Sequence, residues 1–419
     1  MAGMKKSRRW KKRKAKRAKK LTLDTPEPWA RLRRDTPGAE RVAHFNNAGA
    51  ALSPRPVIEA VKAHLDLEAE IGGYEAARAR RDELANVYRD VGAVIGANPD
   101  NIALTANATD AYARALSSIP FERGDVVIAA WAEYASNQIQ LLSLAERFGV
   151  EIVRAPKCET GGADLGALEK LIKDRRPKLV ATVHVNTSSG AIEDVAAIGA
   201  VCRREDVLYL VDGCQSLGQM PIDVNAIGCD FFSATSRKFL RGPRGAGLLY
   251  VSDRVLDQGL QPLFIDLKGA MLLDEKRYRA QKGARRFEDW EFSYAVLFGF
   301  GAAARYALDI GLARIAERLG EINRFLRSEI EKRDGWRVVD SGRELCPIIP
   351  VHAEGADGEQ VHRALSEAGV NTALIPKAWA PMDEGLSKAG WVVRISPHYY
   401  NARPDFDRLL NGLETALRR

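Results

Sequence analysis

The chain has 419 residues, 46% of them hydrophobic, and a formal net charge of +8. That length supports a large buried core and two or three domains, and it excludes a small disulfide-stapled module. The charge is unevenly placed: residues 1–20 hold twelve Lys or Arg and no acid, so the rest of the chain carries −4. Residues 1–24 are therefore expected to form a disordered basic tail, because like charges repel and little apolar surface is there to bury. Nucleic-acid contact is expected only through residues 1–20, with a purely solubilising tail as the alternative. No stretch reaches the roughly 18 consecutive apolar residues that suggest a membrane span. Cys158, Cys202, Cys214, Cys229 and Cys346 are scattered without a C-x-x-C pair, and the six histidines lack metal-ligand spacing. This points to a reducing cytoplasm and to no metal.

From about Val42 onward helical and strand patterns alternate, as in an α/β fold with a largely parallel sheet. A helical pattern over 57–94 is broken at Gly72-Gly73. Strand-like apolar runs follow at 102–105, 126–131, 151–155, 178–185, 207–212, 230–235 and 246–251, most of the early gaps holding amphipathic segments such as 138–148, 163–174 and 193–203. The last three runs lie close together, which predicts an antiparallel edge. A long helical pattern spans 294–332. Strands at 336–340, 346–351 and 391–396 and helices at 358–369 and 404–418 then suggest a compact α+β module beginning near residue 311.

Several strand ends carry chemistry. Asp212 closes the run 207–212, and Lys238 lies on the turn between the last two runs, within Ser-Arg-Lys-Phe-Leu-Arg-Gly. A lysine and a carboxylate at neighbouring strand ends suit pyridoxal phosphate. The amine forms an imine with the cofactor aldehyde, and the carboxylate keeps the ring nitrogen protonated. Ala108 and Thr109, on a strand-to-helix turn, offer backbone N–H groups to a phosphate, with Thr235 and Arg237 as further donors. Tyr134 suits stacking on the ring, Gln215 suits its hydroxyl, and Thr187 ends a strand at the same edge. Arg394, in the apolar strand Trp-Val-Val-Arg-Ile, needs an anionic partner, which a substrate carboxylate supplies. Taken singly, each is as readily a helix cap, a loop residue or a surface cation. Together they form a constellation at the strand ends of one sheet edge.

As a set, these residues resemble the class V aminotransferase family of fold-type I pyridoxal-phosphate enzymes. The matching pieces are Phe45-Asn-Asn-Ala-Gly, Thr105-Ala-Asn-Ala-Thr-Asp, Glu133-Tyr-Ala-Ser-Asn, His184-Val-Asn-Thr-Ser-Ser-Gly, Val211-Asp-Gly-Cys-Gln, Thr235-Ser-Arg-Lys, Arg286-Phe-Glu and Arg394-Ile-Ser. The resemblance implies a mostly parallel seven-stranded sheet between helices in a cofactor-binding domain over 61–310. It implies a small α+β domain over 311–419, and a segment 25–60 that contributes to both the small domain and the site. Lys238 is then the imine lysine, Asp212 the partner of the pyridine nitrogen, Gln215 that of the ring hydroxyl, and Asn47 and Arg394 the substrate-binding residues. A homodimer with shared sites is also implied, with Gly72-Gly-Tyr74 and the loop 286–293 contributed across it. Glu291 stands where many relatives aim a Thr at the phosphate.

Cysteine desulfurases in this family carry a nucleophilic Cys before the carboxylate-binding Arg, whereas residues 371–393 contain none. Tyr134 and Arg237 replace histidines common in those enzymes, as in the ergothioneine-type C–S lyase and epimerase-like branch. The expected reaction is C–S β-elimination on a small cysteine-derived amino acid, with Lys238 as general base. Arg237, Arg241 and Arg244 are expected to lower its pKa. Transamination or epimerisation through the same lysine is the alternative. A non-catalytic binding protein tethered by the basic tail is the alternative of another class.

Overall fold

The seven strand-like runs form one sheet because nearly all their side chains are apolar and helices cover both faces. The computed structural model describes residues 26–159, 161–340 and 342–418, so the basic tail expected over residues 1–24 lies outside it. The strands are β1 (Ile102–Thr105), β2 (Val126–Ala129), β3 (Glu151–Arg154), β4 (Leu179–Val183), β5 (Leu208–Asp212), β6 (Phe231–Thr235) and β7 (Gly247–Val251). They lie in the order β1-β7-β6-β5-β4-β2-β3. β3, β2, β4, β5 and β6 pair in parallel, while β7 runs antiparallel to both β6 and β1. The reversed strand therefore lies beside the lysine turn, as expected.

Alternate residues of each strand enter different cores. Val126, Ile128, Val180, Val211 and Phe232 face one side with α7 (Val195–Arg204) and α8 (Tyr294–Ile310). Val127, Ala129, Ala181, Leu210 and Phe231 face the other with α4 (Ala108–Ser118). Only β3, at the edge, is substantially exposed.

The long helical pattern 294–332 is two helices. Gly311, at φ +92°, ends α8, and α9 (Leu312–Glu331) departs at 78°. Glycine alone takes that backbone conformation without a steric penalty. Ile315 and Leu319 of α9 pack into the large core, whereas Ile322, Leu326 and Ile330 pack into a second one. No single described helix is long and apolar enough to cross a membrane. The helical pattern over 57–94 likewise breaks twice, at Gly72 and at Arg80, giving α1 (Arg55–Ile71), α2 (Gly73–Ala79) and α3 (Arg81–Val94).

The second core lies beneath an antiparallel sheet in the order β10-β11-β13-β12, made of β10 (Trp336–Val338), β11 (Ile349–Ala353), β12 (Ala373–Pro376) and β13 (Trp391–Ile395). Ala43 and Phe45 from the N-terminal segment enter this core too, and Ala43–His44 pairs in parallel with Val370–Asn371. Between β7 and α8 a hairpin, β8 (Ala270–Asp274) and β9 (Arg277–Ala280), stands off the body with Met271, Leu272 and Tyr278 exposed. Its apolar residues face no core, so their pattern gave no strand signal.

Arg241 joins three parts of the chain. It is fully buried and donates to Leu52 O (2.9 Å), Tyr399 Oη (2.7 Å) and Thr36 Oγ1 (2.6 Å). It is thus occupied by the N-terminal and C-terminal segments rather than by Lys238, and Arg244 is exposed.

The Arg286-Phe-Glu288 motif is structural within its own chain. Glu288 accepts from Leu104 N (2.8 Å) and Tyr88 Oη (2.9 Å), pinning β1 to the 284–288 turn. Burial raises its carboxyl from 4.5 to about 7. The folded state thus keeps a proton that the unfolded chain releases. This contribution to stability is full below about 4.5 and is lost as pH rises toward 7. Glu288→Gln removes the dependence. The stability difference between variant and wild type should move in the variant's favour by roughly 2–3 kcal/mol between about pH 5 and 8. Urea unfolding at three pH values measures it, and a pH-independent difference would contradict the assignment.

Candidate active site

The carboxyl ends of β2, β4, β5 and β6 open on one edge of the sheet, where the turns that follow them build a cleft. Lys238, on the turn after β6, is 6% exposed, and its Nζ lies 5.7 Å from the centroid of the Tyr134 ring. Its Nζ makes no hydrogen bond or ion pair among the described residues. Burial lowers its pKa, and Arg237 and Arg394 push the same way against Cys214 and Asp212. The cationic neighbours are therefore Arg237 and Arg394, where the sequence suggested Arg237, Arg241 and Arg244.

Asp212, the last residue of β5, accepts from the backbone N–H of Cys214 (2.8 Å) and from Asn137 Nδ2 (2.8 Å). Gln215 donates to Thr187 Oγ1 (2.7 Å) and Ala48 O (3.1 Å), while its Oε1 is buried without a partner. Arg394, on β13, is also buried. It donates to Thr187 O and Oγ1 (both 3.0 Å) and to Asn46 Oδ1 (3.4 Å), and its Nε has no partner. No described carboxylate forms an ion pair with it, and burial pushes its pKa down to about 10. A buried guanidinium held only by neutral acceptors is costly unless an anion completes it.

The anion end lies across β1, β7 and β6. Thr105 and Thr235 both pair with Gly247, where an added Cβ would approach Asn107 C to 2.6 Å and Ala108 N to 2.9 Å. Gly247 thereby lets the 106–110 turn settle onto the sheet, with Asn107 capping α4 through Asp110 N (3.0 Å). Ala108 and Thr109 form the first turn of that helix, the positive end of its dipole. The Thr235 hydroxyl donates to Ala246 O (3.3 Å).

Two of the expected site residues find partners within the chain. Arg237 hydrogen-bonds the carbonyl of Gly49 and makes no hydrogen bond to the 106–110 turn. Asn47 is fully buried, donating to Ser396 O (2.7 Å) and His44 O (3.3 Å) and accepting from Tyr400 Oη (2.6 Å), so it packs the N-terminal segment. Its neighbour Asn46 is the one that meets Arg394. The sequence reading also gave no role to Glu133 or Asn137, or to the wall formed by Trp379, Ala380, Met382 and Asp383 opposite Lys238. The i,i+4 spacing of Glu133 and Asn137 at a helix start was the one available signal. The loop 377–383 has no periodicity to read.

A buried, unpaired lysine on the turn after a parallel strand, beside a strand-end carboxylate and a helix N-terminus, defines a fold-type I pyridoxal-phosphate enzyme. Residues 43–409 match the aminotransferase class-V family model, and the chain belongs to that family. Its cofactor is pyridoxal 5'-phosphate. The residues present fit that group: Lys238 Nζ has no partner among the described residues, Gln215 Oε1 is buried and unpartnered, and Ala106, Asn107 and Thr109 of the anion turn are exposed. Among similar proteins, a probable cysteine desulfurase of Methanothermobacter thermautotrophicus is 30% identical over 91% of this chain and 96% of its own. A probable hercynylcysteine sulfoxide lyase of Mycobacterium tuberculosis is 27% identical over 89% and 90%. A cysteine desulfurase of Escherichia coli shares the fold at TM-score 0.84 and 21% identity, over 94% of this chain and 99% of that one. The cystine C–S lyase C-DES, solved with its product cysteine persulfide, shares the fold at TM-score 0.81 and 21% identity, over 90% and 99%.

Proposed function

We propose that the chain is a C–S lyase that expels a sulfur leaving group from Cβ of a small cysteine-derived amino acid, with Lys238 as general base. One observation carries this reading. The cleft is lined by Lys238 and by Thr187, to which the buried Arg394 bonds, and neither cation has an acid partner among the described residues. Its one lining thiol, Cys214, sits beside Asp212 with its pKa raised by burial, while Trp379, Ala380, Met382 and Asp383 carry none.

When bound, pyridoxal phosphate supplies a protonated pyridine ring that accepts electron density from Cα. Ala108, Thr109 and Thr235 would hold its phosphate, Tyr134 would stack on the ring, Asp212 would keep the ring nitrogen protonated, and Gln215 with Thr187 would meet the ring hydroxyl. Arg394, steadied by Asn46 and Thr187, takes the substrate carboxylate. Lys238 removes the Cα proton, its lowered pKa leaving more of the amine free near neutral pH. The Cα–H electron pair becomes the Cα–Cβ double bond, and sulfur leaves with the Cβ–S pair. Water then converts the released three-carbon enamine to pyruvate and ammonia. The names of the sulfoxide lyase and the C–S lyase among its relatives support this direction.

In this reading residues 61–310 carry the cofactor, while 25–60 and 311–419 close the substrate side. A second copy completes the assembly through the exposed apolar surface of Leu263, Phe264, Leu267, Met271, Leu272 and Trp290.

Incubating the enzyme with S-alkylcysteines, cystine and cysteine sulfoxides should give pyruvate and ammonia in equal amounts without added keto acid. Keto-acid formation that strictly requires an amino acceptor would instead establish transamination. Solvent deuterium entering Cα with loss of optical rotation would establish epimerisation, and conversion of none of these substrates would sink the reading.

A further inference from the structure

Beside Asp212 lies a buried polar cluster with no part in the steps above. Asn137, in the first turn of α5 (Ala135–Phe148), donates through one nitrogen to Asp212 Oδ2 (2.8 Å) and to Glu133 Oε1 (3.0 Å). The same Glu133 oxygen accepts from the backbone N–H of Tyr134 (2.9 Å). Glu133 is 6% exposed, its Oε2 is buried without a partner among the described residues, and so is the Tyr112 hydroxyl from α4. The other charge facing the cluster is Arg154 of β3, itself held by Ala130 O (2.9 Å) and Gln138 Oε1.

We propose that Glu133 is a positioning residue which, through Asn137, sets how strongly Asp212 holds the proton on the cofactor's ring nitrogen. This rests on the assignment of Asp212 to that nitrogen. Two carboxylates joined by one amide nitrogen feel each other's charge. An ionised Glu133 raises the negative potential at Asp212 and so strengthens proton retention on the ring. A neutral Glu133 weakens it.

Glu133 is poised to change state near neutrality. Burial lifts its carboxyl to about 7, with Asp212 adding to the rise and Asn137, the Tyr134 N–H and Arg154 opposing it. A buried carboxyl serving only to fix the backbone of Tyr134 would need no second bond to Asp212 through Asn137. Tyr112 contributes no charge, because burial raises its pKa well above the ordinary phenol value.

The test follows the pH-dependent visible absorbance of the bound cofactor in the full-length holoenzyme across about pH 5.5–9.5, using wild type, E133Q, N137A and D212N. Glu133→Gln keeps the acceptor oxygen for Asn137 and Tyr134 and removes only the charge. Its absorbance midpoint should fall by about half a pH unit or more, a roughly threefold loss of proton affinity, and the wild type's inflection near neutrality should vanish. N137A should shift the midpoint in the same direction. If E133Q titrates with wild type while D212N moves, the role of Glu133 is overturned. If D212N also leaves the midpoint in place, the Asp212 assignment falls with it. If E133Q does not fold, N137A decides, because a purely structural link would alter cofactor affinity without moving the midpoint.

Discussion

Lys238→Ala should abolish turnover, lowering kcat/KM by at least about 10³-fold, or about 4 kcal/mol of transition-state stabilisation. The loss follows from two roles converging on one amine, the covalent attachment of the cofactor and the Cα proton transfer. The same substitution should not weaken the fold. Lys238 is 6% exposed and its amine makes no ion pair or hydrogen bond among the described residues, so its ammonium is a cost to the folded apoenzyme. Removing it should leave the apoenzyme's thermal midpoint unchanged or higher. Loss of activity with an undiminished midpoint, loss of the visible band of lysine-bound cofactor, and partial rescue by a small exogenous amine would together assign the role. A variant that retains more than about a tenth of wild-type kcat/KM would remove Lys238 from the chemistry.

The strand-end residues were legible in the sequence because the parallel sheet does the placing. Once β4, β5 and β6 are fixed by apolar runs, Thr187, Asp212 and Lys238 must emerge on one edge. The reversal of β7 was legible for the same reason, since the short 236–246 connection cannot make a parallel crossover. Asn47, expected at the substrate, lies where the backbone is extended or irregular. Asn46 and Asn47 differ by one position, and in extended chain adjacent side chains point opposite ways. The isolated pairing of Asn46 with Ser396, a contact 350 residues away in sequence, decides which one faces Arg394. Arg237, expected as a phosphate donor, meets the Gly49 carbonyl, which the fold of 46–52 brings over the lysine turn. Glu133 and Asn137 stood within a recognised motif, but their link to Asp212 crosses from α5 to β5 and appears only in three dimensions.

Arg394→Ala should lower kcat/KM for amino-acid substrates by about 10²–10³-fold, or roughly 3–4 kcal/mol, mostly through KM. Arg394 is 7% exposed, its guanidinium's acceptors are Thr187 and Asn46, and no described carboxylate pairs with it. The substrate's carboxylate would be its only acid partner, and a charge-assisted pair in that buried setting is strong. Arg394→Lys keeps the charge but loses the planar fork, so it should recover only part of the affinity. The decisive measurement is a double cycle with a substrate analogue lacking the carboxylate. Wild type should prefer the amino acid to the corresponding amine by about the same factor that the Ala substitution costs, whereas in Arg394→Ala the preference should collapse to within several-fold. The cofactor's absorbance should survive the substitution, because none of the residues assigned to hold it bonds to Arg394 except Thr187. If Arg394→Ala keeps its preference for the amino acid over the amine, the carboxylate is bound elsewhere, and this buried arginine serves only to tie β13 to the turn after β4.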